Sequence, residues 1–344
     1  MQTCRSSRFA QSVTVAIAAF MTFGASTALA TAQRTFVAST GVDTNACSLT
    51  APCRSFGAAI LQTSAFGEVI VQDSAGYGPV TITKSVSITS PAGVYAGITV
   101  MTGDGIYINT SNLNVKLVGL SINGQSGTGS GIVFIDGGLL VVDRCTVRSM
   151  SQNGITITGN GTAATITDTR VEDNGDAGVR IADGARVTIE RLTAVLQNSG
   201  SGAGVRAEEN TGGVTTHVVV RDSHFAHNFI AIVARSNFNG GAVFLTATGN
   251  TIADGTAGIE VVCGPPCNSA GLVTVTATAN TISSVGTGLG VYSVNAVLIA
   301  TGNTVTNSTT GVNQNAGTLR TLQNNTIEGN YQDITGTLTP ATVR

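Results

Sequence analysis

Short runs in which apolar and polar residues alternate recur along most of this 344-residue chain. Many runs begin at a glycine, or at Ala231 in its place, and the starting positions are Gly105, Gly131, Gly154, Gly178, Gly204, Ala231, Gly258, Gly288 and Gly311. Alternation over four to six residues predicts strands and not helices. Starting positions 23 to 30 residues apart predict one supersecondary unit repeated and stacked.

A second run in each repeat ends in a recurring phrase, which reads GNTI at 249–252, ANTI at 279–282, GNTV at 302–305 and NNTI at 324–327. The phrase places Asn250, Asn280, Asn303 and Asn325 at equivalent points of successive coils. Amide side chains stacked about 4.8 Å apart can donate to one neighbour and accept from the next. We therefore expect an asparagine ladder at a buried bend in the C-terminal half, with Cys145 as a small buried residue at the same point of an earlier coil.

Short strands that repeat and stack like with like predict a parallel coil around one long core. The repeats NGITITGNGTAATITDTRVEDNGDAGVRI (153–181) and GNTIADGTAGIEV (249–261) resemble right-handed parallel β-helix repeats of the pectin-lyase-like superfamily. The resemblance covers about Phe36 to Ile334 and implies an all-β, right-handed parallel β-helix. That superfamily includes polysaccharide lyases, hydrolases, epimerases, esterases, phage tailspikes and surface adhesins, so the resemblance implies no single function.

The residues before the repeats predict a signal peptide for export and a cap over one end of the β-helix. Arg5 and Arg8, the apolar run VTVAIAAFMTF and the ALA at 28–30 are typical of a secretory signal peptide over residues 1–30. Residues 31–66 are expected to form a strand, a disulfide loop and a capping helix over SFGAAILQ, and residues 67–340 the β-helix. We expect a secreted, periplasmic or cell-surface protein with no transmembrane segment once the signal is removed. A retained N-terminal anchor is the alternative.

The cysteine spacing agrees with an oxidising compartment. Cys47 and Cys53 flank one short loop, and Cys263 and Cys267 flank another, so each pair is expected to form a disulfide. Metal binding by these thiols is the alternative, but no histidine lies near either pair, and we expect no metal and no cofactor. With 17 Lys and Arg against 19 Asp and Glu, the chain has no basic excess for binding nucleic acid.

The alternation also predicts which side chains face outward. If the residues Ile155, Val179, Val205, Ile232 and Ile259 point into the core, Thr156, Arg180, Arg206, Val233 and Glu260 form an outward column. A second column then contains Glu208 and Arg235. Arginine suits bidentate recognition of carboxylates, so we predict a ligand-binding surface made of Arg180, Arg206, Glu208, Arg235 and Glu260. The alternative is a salt-bridged surface patch with Glu208 between its cations.

Other polar residues give weaker evidence for a functional site. His224 and His227 lie in RDSHFAHN, and they are interpreted as surface histidines, with a catalytic role as the alternative. In the same segment Asp222 aligns with an alternating-charge row made of Arg191, Asp168 and Arg144. Threonine rows such as Thr251, Thr281, Thr304 and Thr326 leave ice binding as a further alternative. The paired aspartates, GHG and DPHD strings of related enzymes do not occur in the sequence.

The catalytic residues thus remain unknown, and whether the protein is an enzyme is left open. We expect a monomeric, exported, non-catalytic protein that binds glycans or surfaces, an acidic polysaccharide or a cell-surface component being the partner. The alternative function is that of a polysaccharide lyase or epimerase acting on an acidic polysaccharide.

Overall fold

The computed structural model describes residues 2, 31–125, 128–197, 200, 202–237, 240–263 and 271–341, with Cys263 described by its backbone only. All of the expected signal peptide except Gln2 lies outside these residues. The expected disulfide between Cys263 and Cys267 also lies outside them.

One short helix and many short strands make up the described chain. The helix α1 spans Phe56–Gln62. The first strands are β1 (Ala32–Val37), β2 (Thr63–Val71), β3 (Ala75–Gly76), β4 (Val80–Thr81), β5 (Val86–Thr89), β6 (Ala96–Val100), β7 (Ile106–Asn109), β8 (Asn114–Val118), β9 (Leu120–Gly124), β10 (Ile132–Ile135) and β11 (Leu139–Asp143). The next are β12 (Thr146–Arg148), β13 (Ile155–Thr158), β14 (Ala163–Thr167), β15 (Arg170–Glu172), β16 (Ala177–Ala182), β17 (Arg186–Glu190), β18 (Thr193–Val195), β19 (Ala203–Glu209), β20 (Thr215–Arg221), β21 (His224–Ala226) and β22 (Ile230–Ser236). The last are β23 (Ala242–Thr248), β24 (Thr251–Cys263), β25 (Leu272–Thr278), β26 (Thr281–Val291), β27 (Ala296–Thr301), β28 (Thr304–Thr306), β29 (Thr310–Gln314), β30 (Thr318–Thr321), β31 (Thr326–Ile327), β32 (Gln332–Thr335) and β33 (Leu338–Pro340).

The strands form three parallel ladders, and each coil of the chain visits them in the same order. Ladder A contains β1, β2, β5, β8, β11, β14, β17, β20, β23, β25, β27, β30 and β33. Ladder B runs through β3, β6, β9, β12, β15, β18 and β21, and ladder C through β4, β7, β10, β13, β16, β19 and β22. The long strands β24 and β26 belong to both ladder B and ladder C. After them, ladder B continues with β28 and β31, and ladder C continues with β29 and β32. The result is the predicted parallel β-helix.

Inward side chains of all three ladders make one continuous apolar core. The five residues predicted to point inward on ladder C are each 0% exposed, as are Val142 on ladder A and Val147 on ladder B. Cys145 is also buried, and burial raises the pKa of its thiol to about 12. The cysteine therefore packs as a small core residue, as predicted.

The repeated glycines lie where ladder C begins and the backbone passes close to the next coil. A Cβ on Gly178 would lie 2.7 Å from the carbonyl oxygen of Gly204 and 2.5 Å from a methyl carbon of Val171. Glycine recurs at this position because almost no space remains beside the neighbouring carbonyl.

The asparagine ladder is confirmed at the corner between ladders A and B. The side-chain amide of Asn250 donates to the side-chain oxygen of Asn280, Asn280 donates to Asn303, and Asn303 donates to Asn325, each at 2.9 Å. The same oxygens accept backbone N–H groups of the preceding coil, as Asn280 does from Asn250 at 3.0 Å. Polar groups at this buried bend are thus satisfied by their own repeat.

The N-terminal end of the core is capped. Ser55 caps α1 by accepting from the backbone of Ala58, and α1 buries Phe56 and Ile60 against the first coil. Cys47 and Cys53 form the predicted disulfide in the loop before the helix. Strand β2 continues across residue 66, where the sequence suggested the start of the repeats. The described part of the chain contains no helix of the length and apolarity needed to cross a membrane.

Candidate functional site

The outer face of ladder C carries the candidate residues in the register that alternation predicts. The strand pairings align Thr156 with Arg180, then with Arg206, Val233 and Glu260 in successive coils. The same pairings align Glu208 with Arg235. All five candidate residues therefore share one face.

Glu208 is the centre of the charge arrangement on this face. Its side chain is 2% exposed, and its two oxygens accept from the Nε atoms of Arg180 at 2.5 Å and Arg235 at 2.7 Å. Burial alone would raise the pKa of Glu208, but the charges of the two arginines outweigh it and hold the pKa below its usual value. We call Arg180, Glu208 and Arg235 the shared-carboxylate cluster, and it carries a net charge of about +1 because two cations share one anion.

Arg206 has a different environment from the other two arginines. It is only 4% exposed, and its two terminal nitrogens donate to both oxygens of Asp176 at 2.6 and 2.7 Å. Asp176 lies in the turn that leads into β16, so the pair ties this turn to the ladder. Bidentate pairing of a buried arginine makes Arg206 part of the scaffold beneath the surface and limits its access to a ligand.

Glu260 lies farther along the same column and has a neighbour that the sequence did not suggest. It pairs with Gly290 in the ladder, and the ring of Tyr292 lies against that glycine, where a Cβ would be 2.5 Å from the ring. Burial raises the pKa of Glu260, although a hydrogen bond with Tyr292 opposes the effect. Burial also raises the pKa of Tyr292, and the nearby Glu260 adds to it. Both groups are thus shifted towards their protonated forms.

The predicted alternating-charge row lies at the corner between ladders A and B. Arg191 donates to both oxygens of Asp168, at 2.7 and 2.8 Å. His224 aligns with Thr193 and Thr251 on the outer face of ladder B, as predicted, and is exposed. The ion pair between Arg191 and Asp168 thus gives this part of the row a structural role.

No group of three or more His, Cys, Asp or Glu side chains in the described ranges is arranged to hold a metal ion. The structure brings Asp176 and Tyr292 to the face of ladder C, and sequence reasoning missed both. Asp176 lies in a turn, and Tyr292 lies just beyond the end of β26, so strand alternation places neither side chain.

Comparison with known proteins gives the fold a wider context. A family model described as a right-handed beta helix region matches residues 104–269. The solved structure of XylC with xylose is similar with a TM-score of 0.60 and 9% identity, over 84% of this chain and 69% of that one. Pectate lyase Pel9A has a TM-score of 0.52 and 14% identity, over 85% of this chain and 75% of that one. Curated protein sequences give no significant match.

At these identities the two structures share the fold and nothing more specific. They agree with the family model and with the three parallel ladders, and none of these findings selects an enzyme family. The chain is a right-handed parallel β-helix protein with a pectin-lyase-like fold.

Proposed function

We propose that this protein is exported and binds an acidic polysaccharide along the outer face of ladder C without altering it chemically. The observation that carries the proposal is the shared-carboxylate cluster, in which the buried Glu208 holds two partly exposed arginines. The side chains of Arg180 and Arg235 are 25% and 35% exposed, so each guanidinium can meet both its internal partner and an external anion.

The cluster is preorganised for an anion. Glu208 fixes the positions of the guanidinium groups before any ligand arrives, which lowers the entropy lost on binding. Because two cations share one carboxylate, an additional carboxylate is electrostatically favourable beside them. The backbones of Arg180 and Arg235 are two rungs apart, about 9.6 Å along the ladder, but both guanidinium groups reach Glu208. One acidic unit of a polymer could therefore contact both.

The chemistry of the cluster favours binding over proton transfer. An arginine guanidinium stays protonated in proteins, and both arginines here are held by a carboxylate. They are therefore suited to hold a carboxylate group and poorly suited to remove a proton from a sugar. The disulfide between Cys47 and Cys53 supports an oxidising compartment outside the cytoplasm.

The test is a binding measurement with polygalacturonate and alginate, using the protein from residue 31 onward. Arg180→Gln and Arg235→Gln should each weaken binding about threefold to tenfold at low salt, because each removes one charged contact and leaves Glu208 paired with the other arginine. The difference from the wild type should shrink as salt is added.

Arg148→Gln is the matched control, since Arg148 is an exposed arginine on ladder B. This variant should bind both acidic polymers as the wild type does. Unchanged affinity in both cluster variants, with folding verified by circular dichroism, would remove the cluster as the binding site.

A second candidate, lyase or epimerase action on an acidic polysaccharide, is favoured by Glu260 and Tyr292. These two groups adjoin on the same face. Burial moves the pKa of Glu260 towards neutral pH, which suits this carboxyl for proton transfer, whereas the raised pKa of Tyr292 keeps its hydroxyl protonated as a hydrogen-bond donor. Incubation with the same polymers would reveal lyase action as unsaturated products absorbing in the ultraviolet, and epimerase action as a changed uronate composition. Either activity, if lost in Glu260→Gln and Tyr292→Phe, would replace the non-catalytic proposal.

A further inference from the structure

An open pocket lies at the corner between ladders B and C, apart from the shared-carboxylate cluster. Its volume is about 420 Å³, within the range of small-molecule sites. The side chains that give it its chemistry are those of His227, Phe229, Asp254, Thr256 and Ser284. Neither the proposed polysaccharide binding nor the charge rows use this pocket.

The backbone directs polar side chains into the pocket from consecutive coils. His227, Asp254 and Ser284 occupy the same corner position in three successive coils, following the paired residues at the ends of β21 and within β24 and β26. Each has a positive φ of 55°. A left-handed conformation repeated at one corner turns each side chain away from the core, so the three polar groups lie in a row.

The distances in this row suit a ligand with neighbouring hydroxyl groups. The Nε2 atom of His227 and the Oδ2 atom of Asp254 are 4.0 Å apart, and the two side chains are 57% and 51% exposed. A carboxylate accepts hydrogen bonds, whereas an imidazole can donate from one nitrogen and accept at the other. Together they can bind two adjacent hydroxyls at once.

Phe229 supplies an apolar wall, and its backbone is hydrogen-bonded to the next coil. It is 38% exposed, and its carbonyl oxygen accepts from the backbone N–H groups of Thr256 at 3.1 Å and Ala257 at 2.9 Å. Gly255 lets its backbone lie close to the preceding coil, because a Cβ there would lie 2.5 Å from the carbonyl oxygen of Asn228. The pocket thus combines an exposed aromatic ring, a row of polar groups and a backbone floor.

We propose that this pocket is a binding site for a neutral sugar ring. Such a ring has an apolar face for Phe229 and vicinal hydroxyls for His227 and Asp254. None of the described lining residues is Lys or Arg, and Asp254 would repel a carboxylate, so an acidic sugar is disfavoured. The pocket therefore favours a neutral ligand, whereas the ladder C face favours an acidic one. This inference does not depend on the proposed function.

Saturation-transfer NMR with a panel of neutral monosaccharides and their short oligomers tests the proposal on the protein from residue 31 onward. At least one neutral sugar should bind in the millimolar range. Asp254→Asn and Phe229→Ala should each weaken its binding about fivefold to tenfold, through a lost charged hydrogen bond and a lost aromatic contact. Arg180→Gln should leave it unchanged.

Two matched variants control for indirect effects. Phe244→Ala removes an aromatic ring of nearly equal exposure, 37%, on ladder A, and Asp173→Asn changes an aspartate at the same corner outside the pocket. Both should bind the neutral sugar as the wild type does. His227→Ala supplies a further test if Phe229→Ala fails to fold.

Three results of these binding measurements would overturn the proposal. They are a failure of the protein to bind any neutral sugar, equally strong binding by the pocket variants and the control variants, and displacement of the neutral sugar from the pocket by an acidic one. Loss of acidic polysaccharide binding in Arg180→Gln, with neutral sugar binding kept, would separate this site from the ladder C surface.

Discussion

Glu208 and Glu260 lie on one face of the same ladder, yet their pKa values move in opposite directions. Burial disfavours the charged form of both side chains. Glu208 has two arginines at hydrogen-bond distance and its pKa falls, whereas Glu260 has a tyrosine hydroxyl and its pKa rises. The neighbouring charge therefore decides the protonation state of each carboxyl.

This contrast predicts opposite pH dependence of stability. Because the folded state raises the pKa of Glu260, that residue stabilises the fold at low pH, and the contribution is lost as pH rises through its pKa. Glu260→Gln should therefore melt a few degrees higher than the wild type at pH 7, with a smaller difference at pH 4. Thermal melts followed by circular dichroism measure this.

Glu208→Gln provides the opposite control. The lowered pKa of Glu208 stabilises the fold above its ordinary value of 4.5, and this contribution is lost as pH falls through the lowered pKa. Its variant should thus melt lower than the wild type at pH 7 and approach it in strong acid. The same pH profile in both variants would contradict the assigned environments.

At the scale of the strands and corners, a ladder made of one recurring residue type is easier to predict from sequence than a ladder in which different residue types make equivalent hydrogen bonds. The asparagine ladder was visible because one residue type recurs, and the Arg180 column because side chains alternate with a period of two. A second ladder between B and C was missed, although Asn174 accepts from Met150, Gln197 from Asn174 and Asn228 from Gln197. Each of its rungs needs only an acceptor oxygen, so different residue types serve and no motif repeats.

The hydrogen bonds within the asparagine ladder predict that replacing one of its members will destabilise the fold. Asn280→Leu removes the oxygen that accepts from the backbone and side-chain N–H groups of Asn250, and it removes the side-chain amide that donates to Asn303. The oxygen of Asn303 keeps the backbone N–H of residue 280 as a donor. Leucine occupies the equivalent point at position 192, so the cost should come from unpaired polar groups and not from size. We expect a loss of about 2–3 kcal/mol in the free energy of unfolding, measured by urea denaturation.

The exposed Asn109→Ala is the control, with an expected change under about 0.5 kcal/mol. Equal stability of Asn280→Leu and the wild type would mean that the ladder contributes no net stability.

At the scale of the whole molecule, the described β-helix differs at its two ends. The N-terminal end is closed by α1 with Phe56 fully buried, whereas near the C-terminal end Ile334 is 43% exposed and Ile327 and Leu338 are partly exposed. In a stacked repeat each coil is stabilised by its neighbours, so an end with less burial opens more easily.

Hydrogen exchange should reveal this difference between the ends. Amides of β31, β32 and β33 should exchange fastest among the strands, and those of β2 and β5, beneath the cap, should be well protected. Mass spectrometry of peptides over a time course of exchange measures both. Uniform protection along the chain would show that the C-terminal coils are stabilised as well as the capped end.

The asparagine ladder also bears on how a protein of this kind can change its length. The first three amides of the ladder are each paired by the equivalent amide of the next coil. The spacing of 30 residues from Asn250 to Asn280 and 23 from Asn280 to Asn303 shows that turns of different length leave the pairing intact. Deleting residues 280–302 would bring Asn303 to the place of Asn280. Gene duplication or loss of a whole coil would therefore leave no amide unpaired, and natural selection could lengthen the outer surface one rung at a time.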